Sequence, residues 1–189
     1  MIIVHAIRAA AALALAGCAP QGPDNGSRAA GGGMGMMENG AMGMRPGGGM
    51  GAMGGDMRTI RGLLTRHEAI ERRVEDIPGG VRTWTTSEDP EVAMLIRRHV
   101  REMRARFERG QPIRAMDPVF RELFRNRDRA RMEIADIPGG ARVEHRSDDP
   151  EIARLIRQHA RRFVSEAAEQ GMRRAMRPTP LPEGYRGTQ

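Results

Sequence analysis

Residues 76–100 read DIPGGVRTWTTSEDPEVAMLIRRHV, and residues 136–160 read DIPGGARVEHRSDDPEIARLIRQHA. At an offset of 60 the two stretches agree at 15 of 25 positions, including all of DIPGG, Ser87 with Ser147, both DPE triplets, LIR, and His99 with His159. RAM also recurs, at 114–116 and 174–176. A copy of this length predicts a duplicated unit, 58–117 followed by 118–180.

Within the first unit, TIRGLLTRHEAIERRVEDI places Ile60, Leu63, Leu64, Ile70 and Val74 at helical spacing. PGG should break that helix, because glycine reaches positive φ without steric cost. A short extended segment follows, VRTWTTS in one unit and ARVEHRS in the other. Asp89 and Asp149 then precede Pro90 and Pro150. That is the arrangement of a helix N-cap followed by a proline whose φ is preset, with Ser87 and Ser147 as competing caps. The next helix carries Val92, Leu95, Ile96, Val100, Met103 and Phe107, answered by Ile152, Leu155, Ile156, Ala160, Phe163 and Val164. A unit of about 60 residues is marginal as a core of its own. The expected fold is therefore α+β and mostly helical. Two tandem α-β-α units would pack about a pseudo-twofold, their helices around a small antiparallel β-ribbon, with an irregular tail at 181–189.

The N-terminus gives an address. MIIVHAIRAAAALALAGC has one Arg, then an apolar run that ends at the only cysteine, Cys18. The run is too short to span a bilayer, which takes about 20 apolar residues, and fits a secretory h-region. Leu15, Ala16, Gly17 and Cys18 closely resemble the lipobox of bacterial lipoproteins. The resemblance implies that 1–17 is removed, that Cys18 is lipidated, and that Ala19 directs the protein to the outer membrane, facing the periplasm. One cysteine excludes an intrachain disulfide. The net charge is +7, and every cation is Arg, a composition that codon bias accounts for. An envelope address makes lipid head groups, or simply water, the expected neighbour of those charges and argues against nucleic acid.

Residues 18–57 read as a disordered, Gly/Met-rich tether, with GGGMGMMENGAMGMRPGGGMGAMGGDM at its centre. It carries Met34, Met36, Met37, Met42, Met44, Met50, Met53 and Met57. Thioethers are soft ligands suited to Cu(I), and the stretch resembles the Met-rich segments of periplasmic copper-handling proteins. Compositional drift in a GC-rich repeat is the other explanation.

The histidines pose the same choice. His99 follows Leu95 and Ile96 and precedes Met103 on the apolar stripe, His159 repeats it, and His67 falls between Leu64 and Ile70. His67, His99, Met103 and His159 are thus metal candidates for copper, or axial ligands for a b-type haem held between helices. The competing account has each imidazole serving only packing. C-x-x-C-H is absent, which excludes c-type haem attachment. His145, in the extended segment, and His5, in the leader, stand outside that site. No nucleophile motif, phosphate loop or acid pair beyond helix caps is found, so no enzyme is expected.

The pattern from His67 through Met103, with PGGV, TxSxDPE and IRRHV, resembles a family of exported bacterial proteins of unassigned function. The resemblance implies export and brings no catalytic residues; an envelope protein is the partner that the address allows. Two functions follow: a lipoprotein that binds or buffers copper, or a non-catalytic structural or interaction lipoprotein.

Overall fold

The computed structural model describes residues 48–187, with side-chain detail from residue 54 onward. The leader, Cys18, and Met34, Met36, Met37, Met42 and Met44 of the expected tether lie outside the described residues. The fold is mixed helix and strand around a four-stranded antiparallel sheet. Helix α1 (Gly48–Thr65) leads through a 3₁₀ turn (His67–Ala69) to strands β1 (Glu71–Ile77) and β2 (Gly80–Thr86), then to helix α2 (Pro90–Arg109). The order repeats with α3 (Pro118–Arg125), a 3₁₀ turn (Arg127–Arg129), β3 (Arg131–Ile137), β4 (Gly140–Arg146) and α4 (Pro150–His159). A π-helical turn (Ala160–Ser165) then carries the chain into the short helices α5 (Glu166–Gln170) and α6 (Met172–Ala175).

Two expectations are corrected. Residues 71–77 and 131–137 are strands, not the ends of helices, so the ribbon has four strands. The spacing misled because Ile70 and Val74 are four apart, which fits both one helical turn and two strand repeats. Between them Arg72 takes an inward position and hides the alternation. The second correction is at the tether boundary: α1 begins at Gly48, ten residues early, so Met50, Met53 and Met57 belong to a helix. Glycine costs a helix about 1 kcal/mol per residue relative to alanine, and tertiary contacts offset that here. Asp56 forms a buried ion pair with Arg106 of α2, and Thr59 Oγ1 donates to Glu102 at 3.2 Å.

DIPGG makes a hairpin turn rather than a helix stop. Pro78 presets φ near −65°, and Gly79 takes φ 75°, the pair a type II turn requires. Gly80 begins β2, and a Cβ there would sit 1.9 Å from the His145 carbonyl oxygen of β4. At Gly140 the corresponding clash is 2.0 Å, with the carbonyl of Thr85. The repeated glycines are what allow the two hairpins to come together. β2 and β4 pair with Thr83 opposite Val143, giving the order β1-β2-β4-β3. Beyond each strand the turns are also tied, Ser87 N–H to Gly139 O and Ser147 N–H to Gly79 O, both at 2.9 Å.

The helices start where the Asp-Pro pairs stand. Asp89 Oδ1 accepts from the N–H of Glu91 at 2.8 Å and of Val92 at 3.4 Å, and Asp149 does the same for Glu151 and Ile152. Ser87 and Ser147 do not compete for that role: their hydroxyls accept from the N–H of the capping aspartates, Asp89 and Asp149, at 3.1 Å. A third pair, Asp117-Pro118, starts α3 in the same way. One sheet face, with Val81, Thr83, Ala141 and His145, lies under the helices. α2 packs on β4 and β3, and α4 on β2, so each long helix covers strands of the other half. Arg97 of α2 donates to the carbonyls of Gly140 and Ile137, and Arg157 of α4 to that of Ile77. The core follows, with Val81, Ile152, Leu155 and Ile156 on one side and Ala141, Leu63, Val92 and Ile96 on the other. On the opposite sheet face Arg73 stacks over Trp84, and Glu144 is held between Arg82 and Arg146.

The C-terminal stretch is irregular but anchored. Thr179 is fully buried and its N–H donates to Asp117 at 2.8 Å. Leu181 and Tyr185 pack on the core.

Opposite effects are expected from one substitution at two glycines. Gly80→Ala drives a Cβ into a backbone oxygen and should destabilise the fold by about 1–3 kcal/mol or more, read as a lower urea midpoint. Gly55→Ala, in α1 with nothing within 4 Å of the new Cβ, should raise stability by about 0.5–1 kcal/mol.

Candidate functional site

The interior between the sheet and helices α2 and α4 gathers most of the chemistry-bearing side chains. His99 and His159 come from matching positions on those two helices, and His145 from the buried face of β4. Arg72 enters from the same face of β1, since its cross-strand partner Thr85 lies two residues along β2 from the buried Thr83.

His67 goes elsewhere. α1 ends at Thr65, so the helical spacing from Leu64 no longer applies, and His67 sits in the 3₁₀ turn against α5. Its Nδ1 lies 3.1 Å from the Ala168 carbonyl. A carbonyl only accepts, so Nδ1 carries the proton and donates. The ring is also wedged against Gly171, where a Cβ would fall 2.2 Å from His67 Cδ2. This imidazole docks a turn onto a helix end. Met103 is partly buried on α2, one turn beyond His99.

The other three imidazoles share an environment. Burial pulls His99 and His145 down to about 4 and His159 to about 3, so all are neutral at pH 7. His159 also feels His145, the Arg72 guanidinium and His99, while His99 feels the carboxylate of Asp56 against the charge of Arg72. His159 stacks on Phe163 and meets Phe120 edge-on, with ring centroids 5.9 and 4.8 Å away. Phe107 meets His145 edge-on at 5.2 Å. One nitrogen of each ring (His99 Nδ1, His145 Nε2, His159 Nδ1) is enclosed without a hydrogen-bond partner among the described residues. His145 was the residue that sequence reasoning left out. The signal that finds it is strand alternation: it stands opposite Val81 on the buried face.

Among the described residues, no group of three or more His, Cys, Asp or Glu could hold a metal ion. Arg72 is partly buried, and desolvation brings its guanidinium down to about 10. It remains a cation at neutral pH, and its field opposes a second cation beside His99 or His159. No known protein family, curated protein or solved structure matches the chain.

The depressed imidazoles make stability depend on pH in a defined window. Because folded values lie below the ordinary 6.5, the unfolded chain takes up protons first as the pH falls. Stability should be level above about pH 6.5 and drop below it, by up to about 1.4 kcal/mol per pH unit for each histidine. Urea midpoints at pH 7, 6 and 5 measure this, and His145→Gln should remove about a third of the slope. A flat profile from 7 to 5 would show that the rings are not held neutral.

Proposed function

We propose that the chain is a lipid-anchored lipoprotein of the bacterial envelope, on the outer membrane and facing the periplasm, whose folded domain is a non-catalytic interaction or binding module. Lipidation at Cys18 is supported by the LAGC sequence that ends the apolar leader. It needs no membrane-spanning helix, and no helix among the described residues is long and apolar enough to be one. The domain is two copies of one unit related by a pseudo-twofold. Support for this comes from the 60-residue offset that recurs in the Thr83–Val143 pairing, the Ser87 and Ser147 turn bonds, and the Arg97 and Arg157 contacts.

The observation that carries the functional reading is the commitment of the imidazoles to the fold. His67 holds Ala168, and His159 lies among Phe120 and Phe163. On this reading the histidines fix helix positions over the sheet, and the surface meets an envelope partner.

A second reading keeps copper. The enclosed nitrogens of His99, His145 and His159 are lone pairs or donors left without partners, normally a cost of about 1–3 kcal/mol each, and a soft ion or haem iron would use them. Met103 and the Met-rich segment before α1 would then add thioether sulfur.

Two measurements test these readings. Cys18→Ser should move the chain from the membrane pellet to the soluble envelope fraction; retention in the pellet would sink the anchor. Metal content and a visible spectrum of the full chain, produced in copper-supplemented medium, decide the second. Copper or a Soret band near one equivalent, lost in a folded His99→Ala/Met103→Leu variant, would replace the packing role with a metal or haem site. A metal-free, colourless protein supports packing.

A further inference from the structure

A charge held partly out of water is normally matched by an opposite one. Arg72 is not. Its Nε donates to Ser165 Oγ at 3.2 Å and its Nη1 to Thr85 Oγ1 at 2.7 Å, both neutral acceptors. Among the described residues no carboxylate forms an ion pair with it. The neutral rings of His99 and His159 lie within reach of its field and supply no counter-charge. On its open side Arg72 lines a cleft of ≈ 340 Å³ with Ile70, Val74, Arg161, Ser165, Ala168 and Glu169. Such a volume falls at the lower end of small-ligand sites.

The π-helical turn builds one wall. Ser165 Oγ donates to the Ala160 carbonyl five residues back, at 3.0 Å, and accepts from Arg72. Single π turns inside helices occur frequently at functional sites. The other half of the molecule supplies an internal comparison. There a cleft of ≈ 470 Å³ is lined by Ile134, Arg101 and Ala105, the residues 60 positions away from Val74, Arg161 and Ser165. α2 passes Ala105 as regular helix, and the residue matching Arg72 is Met132. At the matching places the other half carries methionine and alanine, with regular helix in place of the π turn. The second half thus packs without an arginine–serine pair.

We propose that the cleft between β1 and the π turn binds a small organic monocarboxylate. The carboxylate takes the guanidinium of Arg72 as its partner, and a short apolar body lies on Ile70, Val74 and Ala168. The charges around the cleft favour one negative charge over two. Arg161 already shares its charge with Asp76, at 2.9 Å, and Glu169 adds a carboxylate to the lining. Arg157 also reaches Asp76, at 3.6 Å, so three cations (Arg72, Arg157, Arg161) face two carboxylates (Asp76, Glu169) and leave about one positive charge for the ligand; phosphate should bind worse. The comparison of the two clefts rests on the tandem reading above, but the binding test does not, so either can fail alone.

The test is calorimetric titration of the full chain with hexanoate, and separately with inorganic phosphate. Saturable one-to-one binding of hexanoate is expected, with phosphate weaker. Arg72→Met, the residue the second unit carries, should fold and weaken hexanoate roughly ten- to a hundredfold, the loss of charge-assisted hydrogen bonds. Glu169→Gln should tighten it by removing a like charge. A wild type that takes up no hexanoate, phosphate binding as tightly, or unchanged affinity in a folded Arg72→Met would each overturn the proposal. Loss of binding in Glu169→Gln would do so too, by making Glu169 part of what holds the ligand.

Discussion

The antiparallel pairing of β2 with β4 is the contact on which the remaining structure is built. A two-stranded hairpin is marginal in water, and each hairpin here has one strand that would otherwise expose a buried-face edge. Joining them makes a four-stranded surface wide enough for both long helices. The pairing is possible only because Gly80 and Gly140 present no side chain to the opposing backbone. Once the strands meet, each helix crosses to the other half, and Arg97 and Arg157 fasten the crossing to carbonyls at the far hairpin turns. Each buried cluster thus draws on both halves: Val81 joins Ile152, Leu155 and Ile156, and Ala141 joins Leu63, Val92 and Ile96.

What the sequence revealed follows from which signals are local. The Asp-Pro caps are settled by neighbouring residues, and both were legible at Asp89 and Asp149; the same sign at Asp117-Pro118 was there to be read. The stripe on α2 and α4 was legible too, because Val92, Leu95 and Ile96, and again Ile152, Leu155 and Ile156, combine spacings of three and four that no strand produces. The ends of α1 and β1 were not. A spacing of four between Ile70 and Val74 belongs to both periods, and Arg72 stands where a strand pattern would show an apolar residue. That one ambiguity also misplaced His67, whose inward position was computed along a helix that had already ended. His145 carries a legible sign, since Ala141, Val143 and His145 alternate with Arg142, Glu144 and Arg146. PGG reads locally as a helix stop; the reason for its glycines, a strand from sixty residues away, is not local and left no local sign.

The all-arginine composition gains a meaning at particular sites. Codon bias accounts for the count, yet the fold uses properties lysine lacks. Arg97 reaches two carbonyls at once, Arg114 those of Ala175 and Arg177, and Arg174 holds Arg162 O, Glu166 and Thr179 from a buried position. A planar group with five donors can satisfy several acceptors without moving, where an ammonium on a flexible stem has three. Arg114 and Arg174 also flank Phe163, joining the C-terminal stretch to the aromatic group around His159.

The order β1-β2-β4-β3 leaves β1 and β3 as the rims of the sheet. A rim is where a sheet grows, since its unpaired N–H and C=O groups accept any extended chain that arrives. On β1 the outward side chains are Glu71, Arg73 and Glu75, and on β3 they include Arg131 and Glu133. Charges of both signs at these positions disfavour a fifth strand. For domains held side by side at high local density, that guards against copies linking rim to rim into fibres.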